Sequence, residues 1–483
     1  MTTTNRSLTL SRLQNNALPW IQVSPESPYF VTEQGETWMP IGQNDAITWP
    51  DLAGLFRRKN LEAVENYLQM LVNHGVTCMR LMLEYCHGEH RYFEKPAGTF
   101  APNMVQLWDD MFALCEQYGL RILLTPFDTF WMWIRWAKHP YNQQNTGPCA
   151  ARNQWLLCAD TRAAIKARLA FVTERWGGSG ALFAWDLWNE IHPAHAGNSS
   201  EVFNDFINDI SQFLHHKEIT LYGRAHLQTV SVFGPVLDED KRIGEIIFRH
   251  PHLQFANSHF YEHGTINNPK NTVDAAVSVG RLVRQALAEI QDNRPFFDSE
   301  HGPIHTFKDK KKTLPEAFDN EYFRHIQWAH LASGGAGGGM RWPNRHPHSL
   351  TPGMREAQRA LHQFLPLLDW KIFKRRNWNE EVKSSNPQVH VFACGDEHQA
   401  LIWLLRNDTK QKDKVSEIDN QSIITKLQLP IQYAGTFQVT TWDTQSGKVQ
   451  EASQAVSGDD QILCVPLTLV KNDLAIAIRR LQG

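Results

Sequence analysis

Between Trp38 and about Phe373, short apolar runs of β type alternate with longer stretches in which apolar residues recur at helical spacing. The predicted strands are Met39–Gln43, Cys78–Leu83, Arg121–Pro126, Leu182–Asn189, Leu227–Ser231, Phe255–Phe260, Pro295–Ser299 and Gly338–Trp342. The predicted helices between and after them are Leu61–Asn73, Val105–Gln117, Thr161–Trp176, Glu201–His216, Asp240–Arg249, Val273–Gln291, Glu316–Leu331 and Met354–Leu367. In the second helix Val105, Leu107, Trp108, Met111, Phe112 and Cys115 make one apolar stripe, and Gly119 ends it. The segments "NHGVTCMRL" and "QYGLRILLTP" both run from helix through Gly into an apolar strand.

This alternation calls for βαβ units and a parallel sheet, and eight units over this length fit a (β/α)8 (TIM) barrel. An open doubly wound sheet is disfavoured because the first turn, "PIGQND", lacks a phosphate-binding glycine fingerprint. After Lys374 the chain reads as β-type runs separated by turn residues, as in "ALIWLLRN" and "GTFQVTTWDTQSG", which predicts a small antiparallel β-sandwich. The expected division is an N-terminal extension over 1–29 packing on the barrel, the barrel over 30–375 and the sandwich over 386–483. The polar bridge "RRNWNEEVKSSNPQ" is the linker candidate.

Composition narrows the class. The 483 residues, 42% hydrophobic and 20% charged, exclude a disordered or fibrous chain. A net charge of −3 offers no basic footprint, so nucleic acid is not expected as a partner. Seven scattered cysteines without a CxxC pair predict reduced thiols and neither a zinc knuckle nor a disulfide framework. The polar start, Met1 to Asn16, and the lack of an 18-residue apolar run lead us to expect a cytoplasmic location and no membrane partner. The oligomeric state is left open. Aromatic residues are abundant, with 17 Trp, 10 Tyr and 25 Phe, which suits large cores or stacking platforms for flat ligands.

In such a barrel, polar residues at the C-terminal strand ends are the first candidates for chemistry. Strand four, "ALFAWDLWNEIHP", closes on Asn189 and Glu190, and strand seven, "RPFFDSEHGP", closes on Glu300. Two Glu side chains facing each other across a barrel mouth are what retaining glycoside hydrolysis requires, one as a protonated acid and one as an ionised nucleophile about 5–5.5 Å away. A bland alternative, two solvent-facing strand-end residues, is weakened by their neighbours. Asn189 can donate to a sugar hydroxyl, His259 and Tyr261 end strand six on one side, and Arg80 inside strand two needs a carboxylate partner.

These motifs carry a resemblance. "WDLWNE", "FFDSEHG", "HFY", Arg80 and Trp342 together resemble clan A glycoside hydrolases near family five, the cellulases and β-mannanases, over about Phe30 to Phe373. The resemblance implies a double displacement with Glu190 as acid/base and Glu300 as nucleophile. It also implies that Arg80 and Tyr261 keep Glu300 ionised, that Asn189 binds the 2-hydroxyl, that His259 lies beside the acid/base and that Trp342 stacks under the sugar. Ser299 and His301, flanking Glu300, depart from the family's pattern, and the C-terminal segment resembles the sandwich appended to many such barrels.

The stretch "FDTFWMWIRWAKHPYN" after strand three adds Asp128 and Trp131 as substrate-binding candidates, with Trp133 and Trp136 either sugar platforms or a small core under a loop. "HGEH" at His87–His90 and "RHPHS" at Arg345–Ser349 lack a third ligand at metal-site spacing, and neither a metal nor another cofactor is expected. "GGAGGGM" at Gly334–Met340 reads as close backbone approach, and Lys308–Lys312 as a solvated loop. The expected function is a retaining β-glycosidase acting on a β-linked hexose oligosaccharide or glycoside. The alternatives are an endo-acting cellulase or mannanase on polymer and a carbohydrate-binding barrel without catalysis. A metal-dependent barrel hydrolase would need a His-x-His after strand one, which "IGQND" does not provide.

Overall fold

The computed structural model describes residues 18–84, 92–304, 313–408, 410–412, 415–417, 421–431, 434–458 and 462–481, apart from the side chains of Trp131, 410–412 and 415–417. The sequence motifs at His87–His90 and Lys308–Lys312 lie outside the described residues.

Among the described residues, seven parallel strands carry the N-terminal two thirds. After a small antiparallel sheet of β1 (Ile21–Val23), β2 (Phe30–Thr32) and β3 (Thr37–Trp38) come β4 (Gly42–Asp45), α1 (Leu61–Asn73), β5 (Cys78–Met82), α2 (Pro102–Tyr118), β6 (Arg121–Thr125), α3 (Thr129–Arg135), α4 (Ala159–Trp176), β7 (Leu182–Asp186), α5 (Ser200–Tyr222) and β8 (Leu227–Thr229). The chain continues through α6 (Pro235–Glu239), α7 (Lys241–Arg249), β9 (Ala256–Phe260), α8 (Thr272–Glu289), β10 (Phe296–His301), α9 (Glu316–Ala332) and α10 (Pro352–Phe364). Strands β4 to β8 form one parallel sheet in chain order, and β9 pairs in parallel with β10. Single parallel bridges connect the two sheets: Phe233 to His259 on one side, and Arg341 to both His301 and Gln43 on the other.

Local chemistry accounts for most boundaries. Asn60 caps α1 by accepting the N–H of Ala63, and Gly119 ends α2 at a positive φ of 74°. Two expectations are corrected. Gly338–Trp342 is not a strand, because Gly337 and Gly339 take positive φ values of 75° and 72° that break an extended run, leaving only the bridges at Arg341. The stretch after β6, expected as a loop, contains the helix α3. Predicted strand one also slides forward, since Gly42 opens β4 where a Cβ would lie 1.7 Å from the carbonyl oxygen of Cys78.

The small β1–β3 sheet covers the end of the strands remote from Glu190. Phe30 packs edge-on against Phe183 and Phe255, with centroids 5.2 and 5.5 Å apart, and Trp20 stacks on His226 at 3.6 Å.

The C-terminal third is antiparallel. It comprises β11 (Arg376–Asn377), β12 (Lys383–Ser384), β13 (Val389–Gly395), β14 (Gln399–Arg406), β15 (Lys410–Lys412), β16 (Val415–Glu417), β17 (Ile423–Pro430), β18 (Gly435–Asp443), β19 (Lys448–Ser457), β20 (Ile462–Leu469) and β21 (Asp473–Arg480). A six-stranded sheet, β11-β13-β14-β21-β18-β19, faces a three-stranded one, β12-β17-β20, while β15 and β16 pair as a hairpin. On β14, Ala400, Ile402 and Leu404 join the core between the sheets, while Leu401, Trp403 and Leu405 join the core that continues into the α/β part. The period-two pattern thus buries both faces, which is why the whole strand reads as apolar. The expected linker at 375–388 is tied in as well: it supplies β11 and β12, and Trp378 is buried in the sandwich core.

Beneath the loops that follow β5 and β6, Arg168 is buried between Glu84, at 2.9 Å, and Glu94. Burial raises the Glu84 carboxyl above the usual range, and Arg168 opposes that rise. Arg168→Met will leave two carboxylates buried without their cation and lower stability by about 3–5 kcal/mol. Urea denaturation will read this as a lower midpoint; an unchanged midpoint would show that the triad contributes little.

Candidate active site

The polar ends of β5, β7, β9 and β10 meet at one place, and Arg80 is its hub. Arg80, on β5 and buried, donates from Nη1 to Glu300 Oε2 at 2.8 Å and to Asn44 Oδ1 at 2.9 Å. Its other guanidinium edge donates to Asp186 Oδ2, at 2.7 Å from Nη2 and 3.1 Å from Nε, and to Asn189 Oδ1 at 2.5 Å. A cation buried on a strand requires such partners, and the planar fork fixes where each carboxylate lies.

Glu300, on β10, is paired in register with His259 on β9. Tyr261 donates its hydroxyl to Glu300 Oε1 at 2.7 Å, so both oxygens of that carboxylate are held, one by a phenol and one by a guanidinium. A register shift between Phe297 and Glu300 is stabilised by Asp298, whose Oδ1 accepts the N–H groups of Glu300, at 3.2 Å, and Phe260, at 3.3 Å. His301 Nδ1 lies 2.8 Å from Asp298 Oδ2.

Glu190 follows β7 by four residues. Its backbone takes φ 49°, a left-handed conformation costly for a non-glycine residue, and its N–H donates to Ser231 Oγ at 3.2 Å. His259 Nδ1 lies 2.9 Å from Glu190 Oε1 and 3.8 Å from Glu300 Oε2, and His259 Nε2 lies 3.1 Å from Ser299 Oγ. One oxygen of Glu190, one of Glu300 and a nitrogen of His259 all fall within 4.8 Å of one another. Three such groups could ligate a cation, but Arg80 already places a positive charge on one of the two carboxylates, and that donor set does not suit a metal.

Burial pushes the Glu190 carboxyl up to about 7, against the lowering effect of Arg80 and with a smaller upward push from Asp186. Burial also raises Glu300, contrary to the expectation that Arg80 and Tyr261 would set it low; these two, with His259, oppose the rise without reversing it. The His259 imidazole is held down at about 4 by burial, so it is neutral at pH 7 and can pass a hydrogen bond between Glu190 and Ser299.

Most residues singled out from the sequence are brought together: Glu190, Glu300, Arg80, Asn189, His259 and Tyr261 form one connected network. Asp128 joins it at the edge, accepting from Asn189 Nδ2, so Asn189 keeps only its second N–H for a ligand hydroxyl. Trp342 sits apart from these bonds, edge-on to Trp49 at 5.0 Å in a cluster with Ala46, Met82 and Phe130. The side chain of Trp131 is outside the described residues. Sequence reasoning missed Asn44, Asp186, Ser231 and Asp298. The available signal was a polar residue inside an apolar strand run, as Asp186 is in "ALFAWDLWNE", since such a group must find a buried partner.

No family model and no curated protein sequence matches the chain. Solved structures do. A glycoside hydrolase aligns over 96% of this chain and 98% of its own, with a TM-score of 0.61 and 13% identity. A family 5 glycoside hydrolase from Bacteroides vulgatus aligns over 96% and 95%, with a TM-score of 0.61 and 12% identity. An endo-1,4-beta-mannanase from Rhizomucor miehei aligns over 67% and 90%, with a TM-score of 0.50 and 15% identity. The chain therefore shares the fold of these glycoside hydrolases, one of them of family 5, in line with the resemblance the strand-end motifs carry. Because the first two alignments span nearly the whole chain, the likeness includes the C-terminal sheets. Among the described residues no helix is long and apolar enough to cross a membrane.

Proposed function

We propose that the chain is a retaining β-glycosidase acting on a β-linked hexose oligosaccharide or glycoside, built on a (β/α)8 barrel whose two parallel sheets meet through the bridges at Phe233 and Arg341. The observation that carries the reading is the closeness of Glu190 and Glu300, whose nearest oxygens lie within 4.8 Å. That suits direct attack by one carboxylate and leaves no room for the intervening water of an inverting mechanism, which needs about 6.5–9.5 Å.

In the first step an oxygen of ionised Glu300 bonds to the anomeric carbon while the bond to the leaving oxygen breaks, and Glu190 gives that oxygen its proton. In the second, Glu190 takes a proton from water, the water oxygen bonds to the anomeric carbon, and the bond to Glu300 breaks with its electron pair returning to the carboxylate. Arg80 and Tyr261 support the charge on Glu300 before and after each cycle. Among the described residues the Glu190 carboxyl lies against neutral His259, so a single shared proton resides there.

The name of the Rhizomucor neighbour makes β-mannosides the first sugar to try, followed by β-glucosides. Aryl β-mannosides, aryl β-glucosides and the matching β-1,4-linked oligomers should be followed by proton NMR. First-formed product with the β anomeric configuration supports the reading, and α product sinks it. Turnover greater on polymer than on oligomers would favour an endo-acting cellulase or mannanase. Binding without turnover across the panel would favour a non-catalytic carbohydrate-binding barrel.

A further inference from the structure

One extra residue decides the direction in which Glu300 points. Between β9 and β10, Asn257 pairs with Phe297 and His259 with Glu300, so Asp298 and Ser299 together stand opposite Ser258 alone. Side chains alternate across a strand. Without that bulge Glu300 would pair with Phe260, and its carboxyl would turn to the other face, away from Arg80 and Tyr261. Asp298 pins the bulge from both strands, because its Oδ1 accepts the N–H of Glu300 on β10 and the N–H of Phe260 on β9.

The carboxyl is itself held. Its Oδ2 lies 2.8 Å from Nδ1 of His301, and His301 Nε2 meets no partner among the described residues, so Asp298 anchors that ring. The Asp298 N–H donates to Nε2 of His330 on α9 at 3.2 Å, and His330 Nδ1 faces the carbonyl of Gly337 at 2.8 Å. Gly339 closes the far side. A Cβ there would lie 3.1 Å from both Asp298 Oδ2 and the His301 ring, so the glycine-rich stretch leaves room for the pair. The His301 carbonyl accepts the N–H of Trp342 at 2.8 Å, which ties the same frame to the candidate sugar platform. Burial holds the Asp298 carboxyl well above the usual carboxylate range and the His301 imidazole well below its own, so both are uncharged near neutral pH.

We infer that Asp298, braced by His301, is a positioning residue for the nucleophile, holding the bulge that turns Glu300 into the mouth. The inference rests on the glycosidase reading above and deepens it, since Glu300 needs this aim only if it attacks a sugar. An apolar side chain at 298 would fill the same space but accept neither N–H, leaving two buried donors unmet. An uncharged acid there takes the place of a backbone carbonyl, meeting both donors without setting another negative charge beside Glu300. The aim matters because attack at the anomeric carbon tolerates little error; a misplacement of about 1 Å costs about a hundredfold in rate.

The test uses the full chain with dinitrophenyl β-glucoside and β-mannoside for turnover, and with their 2-deoxy-2-fluoro forms for covalent labelling. Asp298→Ala should lower kcat and the labelling rate constant by about a hundredfold, while KM stays within about twofold and labelling still ends near one sugar per chain. A partly unfolded sample would instead lower the final stoichiometry. Asp298→Asn offers an amide oxygen to the same two N–H groups and an NH2 to His301 Nδ1, so it should keep both rates within about threefold of the wild type. His301→Leu, which fills the space but frees Asp298 Oδ2, should cost about tenfold, and His301→Asn should recover most of that. These milder variants decide the matter if Asp298→Ala does not fold. Wild-type rates in Asp298→Ala or His301→Leu, an Asp298→Asn variant losing about a hundredfold, or losses confined to KM would overturn the positioning role. A wild type inactive on all four probes would overturn the glycosidase reading, and the role with it.

Discussion

Glu300→Gln will remove turnover of every β-glycoside substrate, lowering kcat/KM by about four orders of magnitude or more, because no other group can form the glycosyl bond. The replacement keeps the size of the side chain, its amide oxygen can still accept from Arg80 and its NH2 can donate to the Tyr261 oxygen, so the fold should persist while the nucleophile is lost. In the wild type, a 2-deoxy-2-fluoro glycoside of the accepted sugar should load the enzyme quickly and release slowly, since fluorine removes the 2-hydroxyl contacts that strengthen in the transition state. Mass spectrometry of a digest should find the sugar on the peptide containing Glu300. A label on any other residue, or a Glu300→Gln variant retaining a tenth of the activity, would overturn the assignment. Because burial lifts Glu300 above the ordinary carboxylate range, the acidic limb of the pH–rate profile should fall above the value of a free Glu side chain.

The second large effect depends on the leaving group. Glu190→Ala should slow glycosides with poor leaving groups by about 10²–10⁴-fold, the range of general acid catalysis, and barely slow bond breaking for activated aryl glycosides, which leave without a proton. Azide, small enough for the space vacated by the carboxylate, should then speed turnover of the activated substrates and yield a β-glycosyl azide. In the wild type, the proton on Glu190 must be present for the first step. With its carboxyl near 7, kcat/KM should decline as pH rises through about 7, and Glu190→Ala should flatten that basic limb. Equal losses for good and poor leaving groups, no azide product, or a basic limb that survives the substitution would remove Glu190 from this role.

Why some of this was legible in the sequence and some was not follows from what each signal encodes. Helix α1 emerges with the bounds the periodicity predicts because an apolar stripe and the Asn60 cap specify the same start. Glu190 and Glu300 were visible because a carboxylate at the end of an apolar strand stands out in one dimension. Their partners were not, since Asn44, Asp186 and Ser231 reach Arg80 only after β4 to β8 have been assembled into one sheet. The eighth strand misled because its glycines are as compatible with positive φ as with extension. Helix α3 was read as a loop because Trp, Met, Phe and Ile surround it on every side and leave no polar face to mark a period. The bridge at 375–388 looked detached on polarity alone, yet Trp378 and Val382 fasten it into the sandwich core.

The left-handed backbone at Glu190 sets stability and chemistry against each other. Glycine, and to a lesser degree asparagine, occupy such a conformation with little penalty, and neither buries a carboxyl that must ionise during each cycle. Glu190→Gly should therefore melt higher than the wild type, by an amount equivalent to about 1 kcal/mol, while abolishing acid catalysis; a lower melting temperature would show that no strain is stored there. Selection for thermal robustness alone would erase this residue early, so any directed evolution of the protein toward heat tolerance must screen for turnover at every round.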